Sequence, residues 1–212
     1  MVNLGDIRRQ YTQGRLDENT SASDPMTQFH AWFEQYRGTN PLEPTIMTVA
    51  SVDASGQPWQ RVLLLKAYDE RGFVFFTNFE SNKGQHFALN PKASLHFFWM
   101  NLERQVQVQG TLEKISREEA AEYFHSRPRE SQLGAWASAQ SRPLPDRATL
   151  EQRFAEVSAQ YEDGEVPLPD YWGGYRLSPQ RVEFWQGGEH RLHDRVEYTA
   201  DGDAWLKQRL NP

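Results

Sequence analysis

Between Thr45 and Glu113, short runs rich in β-branched and aromatic residues alternate with clusters of Gly, Asn, Asp and Ser. Strands spaced this closely leave no room for the crossover helices of a parallel sheet, so they must pair antiparallel, as a sheet or a barrel. The runs predict strands over Thr45–Val52, Trp59–Lys66, Phe73–Thr77, Ala93–Trp99 and Gln105–Glu113. Turns fall at Asp53-Ala54-Ser55-Gly56 and Tyr68–Gly72. No Gly-x-Gly-x-x-Gly or P-loop pattern appears, so a nucleotide cofactor would have to be held some other way.

Helices flank this block. Asp24 can cap a helix that has Pro25 at its first position and runs to about Tyr36, with Phe29, Trp32, Phe33 and Tyr36 on one face. Asn82–Leu89 reads as a short helix before Asn90-Pro91. Ser116-Arg117-Glu118-Glu119 fits a capping box and opens a helix through about Ser126, and another covers Ala148–Tyr161. The tail returns to strands at Tyr175–Leu177, Arg181–Trp185, Arg195–Thr199 and Trp205–Arg209. The polar residues 1–24 read as a mobile or loosely docked arm, and nothing in residues 25–212 looks like a linker between domains. The expected class is mainly β with flanking helices.

The chain has 212 residues, a formal net charge of -6 and no cysteine. An acidic balance argues against general nucleic-acid affinity, so any bound phosphate should be small and gripped by a local cluster. Lack of cysteine excludes disulfides, thiolate catalysis and cysteine-ligated metals. Without the apolar core of a signal peptide or a long apolar run, the expected setting is the cytoplasm, with no membrane partner.

Several constellations could carry chemistry. Trp185-Gln186-Gly187-Gly188-Glu189-His190-Arg191-Leu192-His193-Asp194-Arg195 packs two His and two Arg beside a Trp. Arg offers a fixed fork of donors and His titrates near neutrality, which suits an anionic, proton-handling ligand. His190 and His193 do not read as metal ligands, because Arg191 and Arg195 would repel a cation. Tyr123 and Arg127 stand four apart while their helix lasts and Ser131 follows, so hydroxyl, guanidinium and hydroxyl form a cradle for a phosphate monoester. Lys83, at a helix start behind Ser81-Asn82, could grip another phosphate. In Gln105-Val106-Gln107-Val108-Gln109 the valines face a core, and the amides suit a planar heterocycle, a subunit interface or a solvated edge. Parity puts Arg61 and Lys66 on opposite strand faces unless a bulge intervenes.

With these residues in view, the chain closely resembles the pyridoxamine 5′-phosphate oxidase family, FMN enzymes that make pyridoxal 5′-phosphate. The likeness spans nearly its whole length and is strongest in six places. These are Gln60–Lys66, Glu103–Val106, Tyr123–Arg129, Ser131–Trp136, Glu165–Pro169 with Trp172-Gly173-Gly174, and Trp185–Arg195. The resemblance implies a homodimeric FMN-binding split β-barrel over residues 25–212, with two FMN sites at the subunit interface. It implies FMN-dependent oxidation of pyridoxamine and pyridoxine 5′-phosphates to pyridoxal 5′-phosphate, in which hydride passes from C4′ to the flavin and O₂ becomes H₂O₂. A flavin- or vitamer-binding protein, or a split-barrel flavin reductase, is the alternative on the same fold.

Carried over by position, the resemblance assigns Arg61, Lys83, Gln140 and Ser141 to the FMN phosphate side. It assigns Val62, Leu63, Leu64, Leu65, Lys66, Phe76, Thr77, Asn82, Gln105, Trp185 and Arg195 to the rest of the cofactor site. Lys66, Tyr123, Arg127 and Ser131 would hold the substrate phosphate, and Arg191, Leu192 and His193 would lie over the pyridine ring, with Arg191 and His193 catalytic. Arg8, Arg9 and Tyr11 would close over the substrate from the arm. One departure stands out: the family typically carries Arg before the lysine, where this chain has Asn82. A missing charge-assisted bond there would cost FMN binding about 1.5–3 kcal/mol if nothing replaced it.

Overall fold

The computed structural model describes residues 2, 4–6 and 9–212. In chain order the elements are α1 (Pro25–Arg37), β1 (Ile46–Val52), β2 (Pro58–Leu64), β3 (Ala67–Asp69), β4 (Gly72–Asn78), α2 (Asn82–Leu89) and β5 (Lys92–Trp99). There follow β6 (Arg104–Lys114), α3 (Arg117–Ser126), α4 (Arg129–Ala137), α5 (Arg147–Gln160), β7 (Trp172–Gln186), β8 (Asp194–Asp201) and β9 (Ala204–Leu210). All described strand pairs are antiparallel, in the order β2-β1-β5-β6-β7-β4-β3, with β8 and β9 branching from β7.

The two ends of that order are successive pieces of one run of chain. Only Leu65 and Lys66 separate β2 from β3, and each is still bonded: Leu65 N–H to Thr45 O at 2.8 Å, Lys66 N–H to Val74 O at 2.9 Å. The sheet therefore closes on itself, and the closure is a bend at Leu65-Lys66. Inside it lie alternate residues of each strand, among them Met47, Val49, Leu95, Phe97, Val106, Val108, Val182 and Phe184. Helix α1 lays Phe29, Trp32 and Phe33 onto this core, and Phe29 meets Phe73 and Phe97 edge-on at 4.8 and 5.0 Å. Its start is set as expected, with Asp24 Oδ1 accepting from Thr27 N–H at 2.8 Å.

A second apolar cluster of Phe124, Leu133, Val166 and Trp172 packs α3, α4 and α5 against the outer face of the sheet. The cleft described below lies along this helical layer. Among the described residues no helix is long and apolar enough to cross a membrane.

Three local expectations need correction. The stretch Tyr68–Gly72 is not all turn: Ala67–Asp69 pairs with Gly72–Val74, leaving a two-residue turn at Glu70-Arg71. Tyr175–Leu177 and Arg181–Trp185 are parts of one strand, β7, because the register slips past Gln180 at a bulge beside Pro179, which has no N–H to give. Helix α4 was not expected, since Gly134 and a leading Pro128 weaken its local signal. Packing of Leu133 into the second cluster outweighs that propensity.

The arm residues from Arg9 onward lie against the sheet. Leu16 is buried, its N–H donates to Asp194 Oδ2 at 3.0 Å, and Tyr198 Oη donates to Ala22 O at 2.8 Å.

Candidate active site

A cleft of about 650 Å³ opens between the Leu65-Lys66 bend, β4 and the helical layer. Val62, Leu64 and Lys66 reach it from one strand face, with Phe76 and Thr77 from β4 and Tyr123, Arg127 and Ser131 from α3, its end and α4. Leu63 and Gln140 also line it. Arg61 has the opposite parity, as expected, and donates from Nη1 to Ser51 Oγ at 2.8 Å and Val49 O at 3.1 Å.

Arg127 decides what the cleft can hold. Its guanidinium lies over Trp172, carbon to ring centroid 4.7 Å, and one of its nitrogens, Nη1, is buried without a hydrogen-bond partner. A buried donor of a fixed cation left unpaired is costly, so an anion with spare oxygens fits it. Burial pushes the guanidinium pKa below its ordinary value, opposed by Tyr123, while burial raises the Tyr123 hydroxyl, opposed by Arg127. The tyrosine thus stays a neutral donor. Its ring is stacked on Phe76 at 3.9 Å, and Phe76 in turn lies 5.4 Å from Trp172, which locks the cradle's apolar wall.

A second cationic grip adjoins the first. Lys83 is only 8% exposed; its Nζ donates to Gln140 Oε1 at 2.8 Å and Ser81 Oγ at 3.2 Å, and Thr77 Oγ1 reaches the same Gln140 oxygen at 3.3 Å. Burial, and then the nearby Arg61 charge, push the lysine pKa down to about 8. Two cations close enough to feel each other are a poor arrangement unless an anion joins them. Among the described residues none of Arg61, Lys66, Lys83 and Arg127 forms an ion pair. The cleft around Arg127 and the Arg61–Lys83 pair that adjoins it through Gln140 are thus two places suited to phosphate.

The remaining expected residues gather elsewhere. Trp185 and His193 stand 4.6 Å apart between ring centroids, and Tyr11 meets both edge-on at 5.8 and 5.6 Å. His193 Nδ1 accepts from Gly188 N–H at 3.1 Å, which requires a neutral ring with its proton on Nε2. Burial, and then Arg191, hold its pKa below the usual histidine value, in keeping with that tautomer. Arg191 has a positive φ of 66°, after His190 at 56°, and leads into the 71% exposed Leu192. Gln105, Trp185 and Arg195 line a smaller hollow with Glu183, whose carboxylate takes Arg195 Nε at 2.8 Å and Nη2 at 3.0 Å.

Trp172 and Trp185 mark these two groups at opposite ends of β7. A strand rises about 3.3 Å per residue, so the groups are roughly 40 Å apart along it. Within the chain the two groups line separate hollows.

Some expected residues fall outside both groups. Leu65 is 3% exposed and turned into the barrel core, Asn82 is the first residue of α2 and does not line the cleft, and Ser141 is exposed with φ 69°. Arg9 pairs with Glu103 at 3.0 Å instead of facing a cleft, and Arg8 lies outside the described residues. Sequence reasoning missed Trp172, Pro128 and Ser138 in the cleft and Glu183 behind Arg195. Only Trp172 carried a signal, as a Trp beside two glycines.

Two family models cover most of the chain: pyridoxamine 5′-phosphate oxidase over residues 34–161, and the pyridoxine 5′-phosphate oxidase C-terminal dimerisation region over residues 172–212. The chain belongs to the pyridoxamine 5′-phosphate oxidase family. The pyridoxine/pyridoxamine 5′-phosphate oxidase of Shewanella halifaxensis is 51% identical over 212 residues, covering all of both chains. That of Escherichia fergusonii is 50% identical over 209 residues, 99% of this chain and 96% of its own. Among solved structures, PhzG from Burkholderia lata in complex with tetrahydrophenazine-1-carboxylic acid superposes with a TM-score of 0.86 at 29% identity, covering 92% of this chain and 96% of that one. An FMN-binding protein from Nostoc punctiforme related to the same oxidase family shares the fold, with a TM-score of 0.71 at 16% identity over 90% of this chain and 100% of its own.

Proposed function

We propose that the chain is a cytoplasmic, homodimeric, FMN-dependent oxidase that converts pyridoxamine 5′-phosphate and pyridoxine 5′-phosphate to pyridoxal 5′-phosphate. The observation that carries this reading is the buried, unpartnered nitrogen of Arg127 in a cleft shared with Lys66, Tyr123 and Ser131. A phosphate monoester satisfies that nitrogen and brings a small aromatic ring against the apolar strand wall. Membership of the oxidase family, and the match to its dimerisation region, give the same answer from the whole chain.

In this reading Arg61, Lys83 and Gln140 hold the FMN phosphate, and Lys66, Tyr123, Arg127 and Ser131 hold that of the substrate. Bound FMN supplies a two-electron acceptor for the hydride on C4′, with dioxygen as the final acceptor. A second copy of the chain brings its Trp185, Arg191, His193 and Arg195 to the cleft, which resolves their separation along β7. Arg191 sets a fixed positive charge beside C4′, and neutral His193 donates Nε2–H to an oxygen substituent of the ring. Tyr11, already against Trp185 and His193, covers the ring from the solvent side.

The test is to give the protein FMN and air, add pyridoxine 5′-phosphate, and follow aldehyde and peroxide together. Equal yields of both support the oxidase. Flavin that stays oxidised beside substrate, with no aldehyde, contradicts it and favours a flavin-binding protein or a reductase with another donor.

A further inference from the structure

Glu103 is the least expected charge in the fold. It is 1% exposed, follows the 3-10 turn Met100–Leu102, and adopts the left-handed conformation with φ 55° and ψ 41°. Non-glycine residues seldom hold that conformation without a compensating contact. Here the compensation comes from the arm. One carboxylate oxygen, Oε2, accepts from two successive backbone amides, Thr12 N–H at 2.7 Å and Gln13 N–H at 3.0 Å. The other, Oε1, faces Arg9 Nη2 at 3.0 Å in an ion pair. The main chain of Glu103 completes the joint, since its carbonyl accepts from Gly187 N–H at 2.8 Å.

Tyr11 sits in the middle of this grip, between Arg9 and Thr12. A Cβ added at Gly187 would stand 2.9 Å from Tyr11 Cβ and Cγ and 3.1 Å from Glu103 Cβ, closer than such atoms approach without a shift. The same Tyr11 ring meets Trp185 and His193. We infer that Glu103 is a positioning residue: its carboxylate, not the packing of the tyrosine ring, sets where Tyr11 stands over the Trp185–His193 pair. Glu103 acts through the arm, by the amides of Thr12 and Gln13 and the side chain of Arg9. The inference rests on the oxidase reading for its kinetic consequence, but not for its structural one.

The experiment compares the FMN-loaded dimer with its Glu103→Gln variant, which keeps the shape and removes the charge. Amide hydrogen exchange at Thr12 and Gln13 should quicken roughly tenfold, with exchange in β6 unchanged, because a local opening loses its anchor. KM for pyridoxine 5′-phosphate should rise about tenfold while FMN affinity holds. In a Tyr11→Ala background Glu103→Gln should add nothing to KM, since the two act as one unit. Gly187→Ala, which crowds Tyr11 and the Glu103 Cβ but leaves the carboxylate charged, should reproduce the KM shift if Glu103→Gln fails to fold. Unchanged exchange at Thr12 and Gln13, or an equal KM shift without Tyr11, overturns the inference. Quickened exchange in a protein that forms no aldehyde leaves the latch standing and sinks only the oxidase reading.

Discussion

Arg127 lies over Trp172, its guanidinium carbon 4.7 Å from the ring centroid, with one nitrogen buried and unpaired. That contact holds the guanidinium in place before any ligand arrives, so on the proposed function a substrate phosphate meets a positioned donor. Removing it by Arg127→Ala should cost a charge-assisted contact of about 1.5–3 kcal/mol, which is roughly 10- to 100-fold in KM. Arg127→Lys should recover little, because an ammonium neither stacks nor forks. Steady-state kinetics with pyridoxine 5′-phosphate check this, and an unchanged KM in the alanine variant would remove the cradle assignment.

On the proposed site, Lys83 makes FMN affinity depend on pH. Its pKa is pushed down to about 8, by burial first and by Arg61 second, so the free protein loses this charge as pH rises through that value. FMN should then bind more weakly by up to about tenfold per pH unit above it, until the pKa of the complex is passed. Stability of the protein without FMN moves the other way. Between about 8 and the unperturbed value of 10.5 the unfolded chain carries the extra proton, so this group's contribution to stability rises with pH. Fluorescence titration with FMN from pH 7 to about 9.5 reads the slope. A flat profile, or the same profile in Lys83→Met, contradicts the assignment.

Asn82 opens α2 directly before Lys83, at the position where the resemblance implies Arg. With no carboxylate paired to Lys83, a restored guanidinium has an anion to meet only when FMN is bound. Asn82→Arg should therefore tighten FMN about tenfold with little change in substrate KM. Equilibrium dialysis of the flavin measures it, and an unaltered dissociation constant would mean that something else already fills that role.

Phe29 tests the packing account independently of the site. It is fully buried and contacts Phe33, Phe73 and Phe97 through its ring. Phe29→Ala should cost about 3–5 kcal/mol through lost burial and a cavity beneath α1. Thermal unfolding should show a clear fall in Tm; a fall of only a degree or two would mean that α1 does not seal the core.

Much of this molecule was legible in its sequence because the signals are local. The Asp24-Pro25 start of α1 and the Asn82–Leu89 helix follow from caps and breakers within a few residues. Tyr123 and Arg127 met through helical spacing alone. The rest depends on contacts distant in the chain. Pro179 concealed the continuity of β7, which is held by β6 on one side and by β4 and β8 on the other. The Lys83–Gln140 bond spans 57 positions, and Glu103 reaches Thr12 across 91. No periodicity encodes such pairs.

The central claim is that each active site takes the cradle from one chain and the Arg191–His193 segment from another. Mixed dimers of Arg127→Ala and Arg191→Leu chains, assayed at substrate well below the wild-type KM where each variant alone is nearly silent, test it directly. In a mixed dimer one site collects both defects and the other collects none. Random assembly should restore about a quarter of wild-type pyridoxal 5′-phosphate formation, since half the dimers are mixed and each has one intact site. Verified mixed dimers without any restored activity would show that both groups serve one chain, and the account would fail.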